Sequence, residues 1–313
     1  MRRVGGSHAE LMPLPPTGRL SPTAKRGTRP VVLNHTFLHL PGLGPSTERR
    51  LWAAGILTWD DFLNADEPPL ASVKVPLWRD ELLASRERLA AGDADWFAAR
   101  LPPAEAWRLF FDFRDRLACV DIETDGTPRN EVTAVALYDG KNTARTYAHG
   151  KNLHDFVDDI TSSKVLVTFN GRCFDAPILT SHLGAKLPKA HIDLRNVLCG
   201  IGVKGGLKKC EERYGVDRGD LAGADGYLAV LLWREYSRHA HPAVLETLLA
   251  YNAADVLALP VLLAHAINEL LGQTPFAEAY ALPIPAPGAN PHSPDPGVLR
   301  RVWHERRSGG WGR

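Results

Sequence analysis

Two acidic side chains, Asp121 and Glu123, stand two residues apart where the apolar run of residues 117–120 ends. Side chains two apart on a β-strand project from the same face, so the two carboxylates would lie side by side. Carboxylates this close repel each other unless a cation lies between them, and Mg²⁺ is bound by carboxylate oxygens. The pair predicts a divalent-metal site, with a solvated strand end before the Asp125-Gly126 turn as the alternative.

Three side chains further along the chain suit the same chemistry. Asp175 falls where an apolar, strand-like run gives way to a helix, which is also a common place for a helix-capping aspartate. Tyr251 and Asp255 are one helical turn apart, so the phenol and the carboxylate emerge on one face of a helix, within reach of one small ligand. Taken singly, a helix cap and a chance polar pair remain the alternative interpretations.

A sheet and a late helix are needed to bring these side chains together. Short β-prone runs separated by turn residues predict an antiparallel meander, followed by strands that alternate with helices. The predicted strands cover residues 117–123, 132–138, 143–147, 165–169 and 191–192, and the late helix covers about residues 244–263. This order indicates a mixed α/β sheet flanked by helices.

Three sequence motifs resemble those of a known group of enzymes in their residue types, in their order along the chain and in the strands and helix that carry them. The motifs are Asp121-x-Glu123 on a first strand, Asn170-x3-Phe174-Asp175 after a later strand, and Tyr251-x3-Asp255 on a late helix. They resemble the three motifs of the DEDDy branch of 3′-5′ exonucleases, which have a ribonuclease H-like fold. The stretch Gly-Gly-Leu-Lys-Lys-Cys-Glu at residues 205–211 is more narrowly similar to the YprB-type ribonuclease H-like domain family, over about residues 115–270.

The resemblance implies a mixed sheet of three antiparallel and two parallel strands, and a two-metal phosphodiesterase that releases nucleotides from a 3′ end. The implied ligands of two Mg²⁺ or Mn²⁺ ions are Asp121, Glu123, Asp175 and Asp255, with Tyr251 positioning the attacking water. Two cations about 4 Å apart can clamp both oxygens of such a displacement. The substrate would be the 3′ end of single-stranded DNA or RNA. A non-catalytic nucleic-acid-binding or scaffolding protein on the same fold is the alternative.

The sequence pattern of residues 34–112 predicts a small all-helical module. Within it, Gly42 and Gly44 precede a helix, Gly55 is expected to cap that helix, and Thr58 is expected to begin the next. This pattern resembles a helix-hairpin-helix motif, whose backbone N–H groups contact duplex DNA phosphates without reading bases. A purely structural or protein-binding role for this module is the alternative.

Other candidate contacts with nucleic acid are Asn170, after the fourth strand, and Lys204 and Lys208, near the start of a helix expected from about residue 207. Asn170 could instead only hold its turn, and the two lysines could belong to an ordinary solvated helix start. Residues 200–205 fit the dinucleotide pattern Gly-x-Gly-x-x-Gly. No clear strand ends just before Gly200, so a dinucleotide-binding enzyme is disfavoured.

Composition excludes a collagenous or wholly disordered protein, because 44% of the 313 residues are hydrophobic and 23% are charged. The net charge is +1, but residues 1–30 and 281–313 carry excesses of five and three positive charges, which leaves about −7 for the residues between them. Residues 1–33 and 273–313 are expected to be basic, mobile tails that flank the module and a domain at residues 113–272. Four scattered cysteines, no secretory signal and no membrane-length apolar run predict a cytoplasmic protein without membrane contact.

Overall fold

A five-stranded mixed sheet is the centre of the fold. The computed structural model describes residues 32–68 and 73–307, without the side chains of residues 305–307. The strands are β1 (Leu117–Thr124), β2 (Val132–Tyr138), β3 (Arg145–Ala148), β4 (Val165–Thr168) and β5 (His191–Asp193). Their order is β3-β2-β1-β4-β5, antiparallel from β1 to β3 and parallel from β1 to β5. The predicted ribonuclease H-like mixed sheet is confirmed.

Helices surround this sheet and build the amino-terminal part of the described chain. They are α1 (Pro45–Ala53), α2 (Trp59–Asn64), α3 (Val75–Ala90), α4 (Ala94–Ala98), α5 (Leu109–Phe113), α6 (Asp155–Asp159), α7 (Asp175–Leu183), α8 (Leu194–Gly200), α9 (Leu207–Tyr214), α10 (Gly226–His239), α11 (Pro242–Leu271), α12 (Ala277–Tyr280) and α13 (Pro296–Arg307). Short 3-10 turns cover Leu33–His35, Pro103–Arg108, Arg114–Arg116, Ile160–Ser162 and Gly219–Leu221.

The two faces of the sheet are covered by different helices. Val120 and Ile122 of β1 belong to the same apolar cluster as residues of α6 and α7, whereas Cys119 belongs to the cluster that contains α11. This alternation follows from the pleat of the strand, in which successive side chains point to opposite faces. Asp121 and Glu123 share the parity of Cys119, and so project toward α11.

The core helix α11 corrects one expectation from the sequence. Its mean hydropathy reaches 1.6 over an 18-residue window, so by length and composition alone it could cross a membrane. However, 83% of that window is buried inside the protein, where the helix packs on β1, β2 and α10. The apolar run that the sequence analysis overlooked is explained by burial in the protein core.

The amino-terminal module shares its core with the sheet domain. One continuous apolar cluster contains Phe37, Trp59 and Phe97 together with Val167 of β4 and Ile267 of α11. The predicted helix ends are found: Gly55 has a φ of +84°, and Thr58 caps α2 in a reciprocal capping box with Asp61. The module is therefore continuous with the domain that carries the acidic motifs.

The expectation of a mobile carboxyl-terminal tail is wrong for the described residues up to 307. Helix α13 buries Val298, Leu299 and Val302 against α10 and α11, and the side-chain amide of Asn290 donates to the carbonyl of Ala250 at 2.8 Å. Burial of apolar side chains holds this segment in spite of its proline content. Residues 1–31 of the predicted amino-terminal tail lie outside the described residues.

Candidate active site

The first part of the site is the carboxyl-terminal half of β1, which runs past its neighbour β4. Strand β4 pairs with β1 only at residues 117–119, whereas β2 continues alongside β1 as far as Thr124. The backbone N–H of Ile122 is therefore left without a strand partner on the β4 side, and it donates to Oδ1 of Asp175 at 3.2 Å. The start of α7 therefore contacts β1 beyond the point where β4 pairs with it.

The second part of the site comes from α11, which packs across β1 and β2. One carboxylate oxygen each from Asp121, Glu123 and Asp255 lies within 4.8 Å of the other two. Glu123 and Asp255 are buried and Asp121 is half-buried. Oxygen donors at this spacing suit a hard divalent cation, so the predicted convergence of strand and helix carboxylates is found.

Burial and mutual repulsion make these carboxylates hard to ionise without added positive charge. Burial, followed by the nearby Asp255 carboxylate, raises the pKa of Asp121 and of Glu123 well above their usual values. Burial likewise raises the pKa of Asp175 to about 7, against the hydrogen bond from Ile122, which lowers it. Raised carboxyl pKa values of this origin are expected where bound cations complete a site.

Tyr251 lies one turn before Asp255 on α11 and is buried. Burial raises the pKa of its phenol far above the usual value, and the nearby carboxylates of Asp255 and Glu123 raise it further. The hydroxyl therefore keeps its proton at neutral pH and can donate or accept a hydrogen bond without acting as a base.

Asn252, which the sequence analysis missed, positions Asp121. Its side-chain amide donates to Oδ2 of Asp121 at 2.8 Å and to the backbone carbonyl of the same residue at 3.3 Å. Asn252 is fully buried, and its own Oδ1 atom has no hydrogen-bond partner. Its place directly after Tyr251 in the helical motif was the available signal, but the sequence does not show which strand residue the amide meets.

Two cationic side chains enter the acidic cluster from outside the three motifs. Lys208 of α9 and Arg218, after the end of α9, both donate to Oδ1 of Asp255. Arg218 is also held by the buried carboxylate of Glu211, through Nε at 2.6 Å and a second nitrogen at 2.8 Å. The Lys208 ammonium lies 4.7 Å from the centre of the Tyr251 ring. Lys208 was predicted as a nucleic-acid contact, and Glu211 and Arg218 were not predicted.

The turn between β4 and α7 is built around Asp193 at the end of β5. Asn170 has a φ of +68°, and its backbone N–H donates to Asp193 Oδ1 at 2.8 Å. Its side-chain oxygen accepts from Arg195 at 2.6 Å. These contacts hold the turn that precedes Asp175, and the proposed contact of Asn170 with nucleic acid stays a prediction.

The Gly-x-Gly-x-x-Gly stretch forms a helix-to-helix loop. Gly200 is the last residue of α8, and Gly202 and Gly205 have positive φ values in the loop before α9. The dinucleotide pattern requires a strand before the first glycine, so that interpretation is excluded. Lys204 is exposed in this loop.

The glycines of the predicted helix-hairpin-helix lie at the start of α1. Gly42 has a φ of +73°, and the Lys74 ammonium lies where a side chain at Gly42 would begin. Gly44 is the N-cap of α1 and faces open space. A DNA contact at this hairpin remains a prediction.

Comparison with protein families finds a match over the part of the chain that carries the site. Residues 118–267 match the model described as RNase_H superfamily. These residues span β1 to α11, and therefore include the three acidic motifs. Over these residues the chain is similar to the RNase H superfamily.

Individual relatives resemble only part of the chain. The "Uncharacterized protein YprB" of Bacillus subtilis (strain 168) is 32% identical over 143 residues, covering 40% of this chain and 33% of the relative. The chain therefore spans about a third of that relative's length. A family B DNA polymerase from the hyperthermophilic archaeon Pyrobaculum calidifontis is 22% identical, with a TM-score of 0.38, over 50% of this chain and 24% of the polymerase.

Proposed function

We propose that this chain is a metal-dependent 3′-5′ exonuclease of the DEDDy type, acting on the ends of single-stranded DNA or RNA. The observation that carries the proposal is the approach of Asp121, Glu123 and Asp255 to within 4.8 Å in a largely buried cluster. Asp175 lies beside this cluster and contacts β1 through Ile122. All four acids belong to the RNase H superfamily region.

In the proposed reaction, Asp121, Glu123, Asp175 and Asp255 would hold two Mg²⁺ or Mn²⁺ ions. Such ions lower the pKa of a bound water and stabilise the charge on a departing 3′ oxygen. Asn252 keeps Asp121 in place by donating to its carboxylate at 2.8 Å. Tyr251 keeps its phenolic proton and orients the water. A helix-hairpin-helix contact by Gly42 and Gly44 would add sequence-independent affinity for duplex DNA.

A scaffolding protein that binds nucleic acid without cutting it is the second candidate. The observation that favours it is the pairing of Asp255 with both Lys208 and Arg218, because these cations neutralise an acid that a nuclease would need for metal. One assay separates the two candidates.

The assay uses the full chain with single-stranded DNA and RNA labelled at either end, in Mg²⁺, Mn²⁺ or EDTA. The exonuclease is expected to produce a ladder from 5′-labelled strands and free mononucleotide from 3′-labelled strands, in either metal but not in EDTA. Asp121→Asn should abolish cleavage. Asp125→Asn, in the exposed turn after the same strand, is the matched control and should cleave normally. Binding without metal-dependent cleavage would support the scaffold and contradict the exonuclease.

A further inference from the structure

The two cations at Asp255 differ in how firmly they are held. The Arg218 side chain is 7% exposed and is fixed by two hydrogen bonds to Glu211, which is itself 2% exposed. The Lys208 side chain is 28% exposed, and its ammonium contacts Asp255 and the face of the Tyr251 ring. Arg218 is therefore held between two buried carboxylates, whereas the more exposed Lys208 side chain has solvent beside its contact with Asp255.

The balance of charges at the site also distinguishes Lys208 from Arg218. Arg218 and Glu211 neutralise each other as a buried pair. The four acids of the proposed metal site carry four negative charges when ionised, which two divalent ions would neutralise. Among these groups of the described residues, the Lys208 ammonium is then left as a surplus positive charge, and it would repel the ions.

We propose, on the basis of the proposed function, that Lys208 is an exchangeable counter-ion: its ammonium neutralises Asp255 in the metal-free protein, leaves when divalent ions bind, and then holds a phosphate of the nucleic-acid strand. Lys208 lies in the first turn of α9, and its four-carbon stem lets the ammonium swing outward while the backbone stays in place. The lysine therefore links metal loading to substrate binding at one site.

Two consequences follow for the free energy of binding. Metal ions must compete with the ammonium for Asp255, so Lys208 lowers the affinity of the site for divalent ions in the absence of substrate. Once displaced, Lys208 adds one phosphate contact, which raises affinity for a single strand and makes it more dependent on salt.

The experiment compares wild type, Lys208→Met and Lys208→Gln with the matched control Lys209→Met, whose lysine is exposed on the same helix. Mn²⁺ affinity is measured by calorimetry without nucleic acid. Binding of a fluorescent single-stranded oligonucleotide is measured by anisotropy in Ca²⁺ over a range of salt. Circular dichroism checks that each variant is folded.

Both Lys208 variants should bind Mn²⁺ roughly tenfold tighter, which is the effect of removing one competing charged hydrogen bond. They should also bind the oligonucleotide more weakly, with a salt slope smaller by about 0.7. Lys209→Met should leave Mn²⁺ affinity unchanged. Unchanged or weaker Mn²⁺ binding in folded Lys208 variants, while wild type binds metal and cleaves, would overturn this inference alone. A wild type that binds no Mn²⁺ would overturn the proposed function with it.

Discussion

Three carboxylates, those of Asp121, Glu123 and Asp255, each place an oxygen within 4.8 Å of the other two. Ionised carboxylates this close repel each other, so the negative charge of the cluster depends on the residues around it. Lys208 and Arg218 supply positive charge at Asp255, and Asn252 fixes one oxygen of Asp121. The chemistry of the site therefore depends on these neighbours as well as on the acids.

Tyr251→Phe separates water orientation from metal binding. In the proposed reaction the phenol would give the water a hydrogen bond and would not bind metal, so its loss should lower kcat about 10- to 100-fold while Mn²⁺ affinity stays at the wild-type value. Steady-state cleavage and Mn²⁺ calorimetry on the same preparation provide the test. A variant that loses Mn²⁺ binding together with activity would show that the phenol does more than orient water.

Asn252→Ala should weaken metal binding without removing a ligand. The amide that orients Asp121 is lost, and such supporting contacts are worth about 10- to 100-fold in metal affinity. Calorimetry with Mn²⁺ measures the change, and circular dichroism checks the fold. Wild-type affinity in the variant would mean that Asp121 is positioned by the strand alone.

The raised pKa of Asp175, about 7, predicts a pH dependence of stability. Because this pKa lies above that of the unfolded chain, the folded metal-free protein holds an extra proton between about pH 4 and pH 7. The contribution of Asp175 to stability is therefore most favourable at the acid end of that window, and declines as the pH rises. In the proposed site Mg²⁺ would bind the ionised carboxylate, so thermal stabilisation by Mg²⁺ should grow from pH 5 to pH 8.

The measurement is the melting temperature of wild type relative to Asp175→Asn, in EDTA and in Mg²⁺. The comparison with the variant is needed because burial lowers the pKa of His39 to about 3 and of His191 to about 4, which acts in the opposite direction. In EDTA, a melting temperature of wild type relative to Asp175→Asn that increases from pH 5 to pH 8 would contradict the raised pKa of Asp175.

Strand periodicity was sufficient to predict that Asp121 and Glu123 lie side by side, because such periodicity is local. The approach of Asp255 to this pair was implied only by the resemblance to the exonuclease motifs. The contacts of Arg218 with Glu211 and Asp255 could not be predicted from residue type and spacing. They depend on how the chain turns after α9 and on which part of α11 it meets, and no local pattern encodes that approach.

At the scale of elements, the turn from β4 into α7 determines where Asp175 lies. A methyl group on Gly171 would lie 2.5–2.7 Å from the side-chain atoms of Thr168. Thr168 cannot move aside easily, because its hydroxyl bonds to His191 Nε2 at 2.8 Å and accepts from the Gly171 N–H at 3.0 Å.

Gly171→Ala should therefore destabilise the fold by about 1–3 kcal/mol and weaken Mn²⁺ binding by displacing Asp175. Gly44→Ala is the control for stability, since a methyl group there meets nothing within 4 Å and the φ is −104°. Chemical denaturation measures the free energy of unfolding of both variants. Equal stability of the two variants would contradict the crowding described at Gly171.

The strands and the caps of α1 and α2 were predictable because alternation and capping residues are local signals. The carboxyl-terminal segment was not, since its prolines and arginines were interpreted as a mobile tail. Val298, Leu299 and Val302 in α13 do have the spacing of one helical face, and that short pattern was the signal overlooked.

At the scale of the whole molecule, a buried ion pair ties the amino-terminal module together. The guanidinium of Arg108 bonds to both oxygens of Glu48, at 3.0 and 2.9 Å, and to the hydroxyl of Thr36 at 2.7 Å. Because this module and the sheet share one apolar cluster, loss of the pair should destabilise both.

Glu48→Gln should lower the free energy of unfolding by about 3 kcal/mol, with module and sheet domain unfolding in one transition. Lys141→Gln, which breaks an exposed ion pair with Asp115, should change it by less than about 1 kcal/mol. Two separate transitions in Glu48→Gln would show that the module folds independently of the sheet.

The number of divalent ions bound at equilibrium tests the central claim most directly, because every proposed step requires the acids of β1, α7 and α11 to act as one site. Titration with Mn²⁺, followed by the resonance signal of the free ion, should show two bound ions in wild type and in Asp125→Asn. Asp121→Asn should bind neither ion with comparable affinity. A wild type that binds no Mn²⁺, or an Asp121→Asn variant that binds it unchanged, would contradict the account.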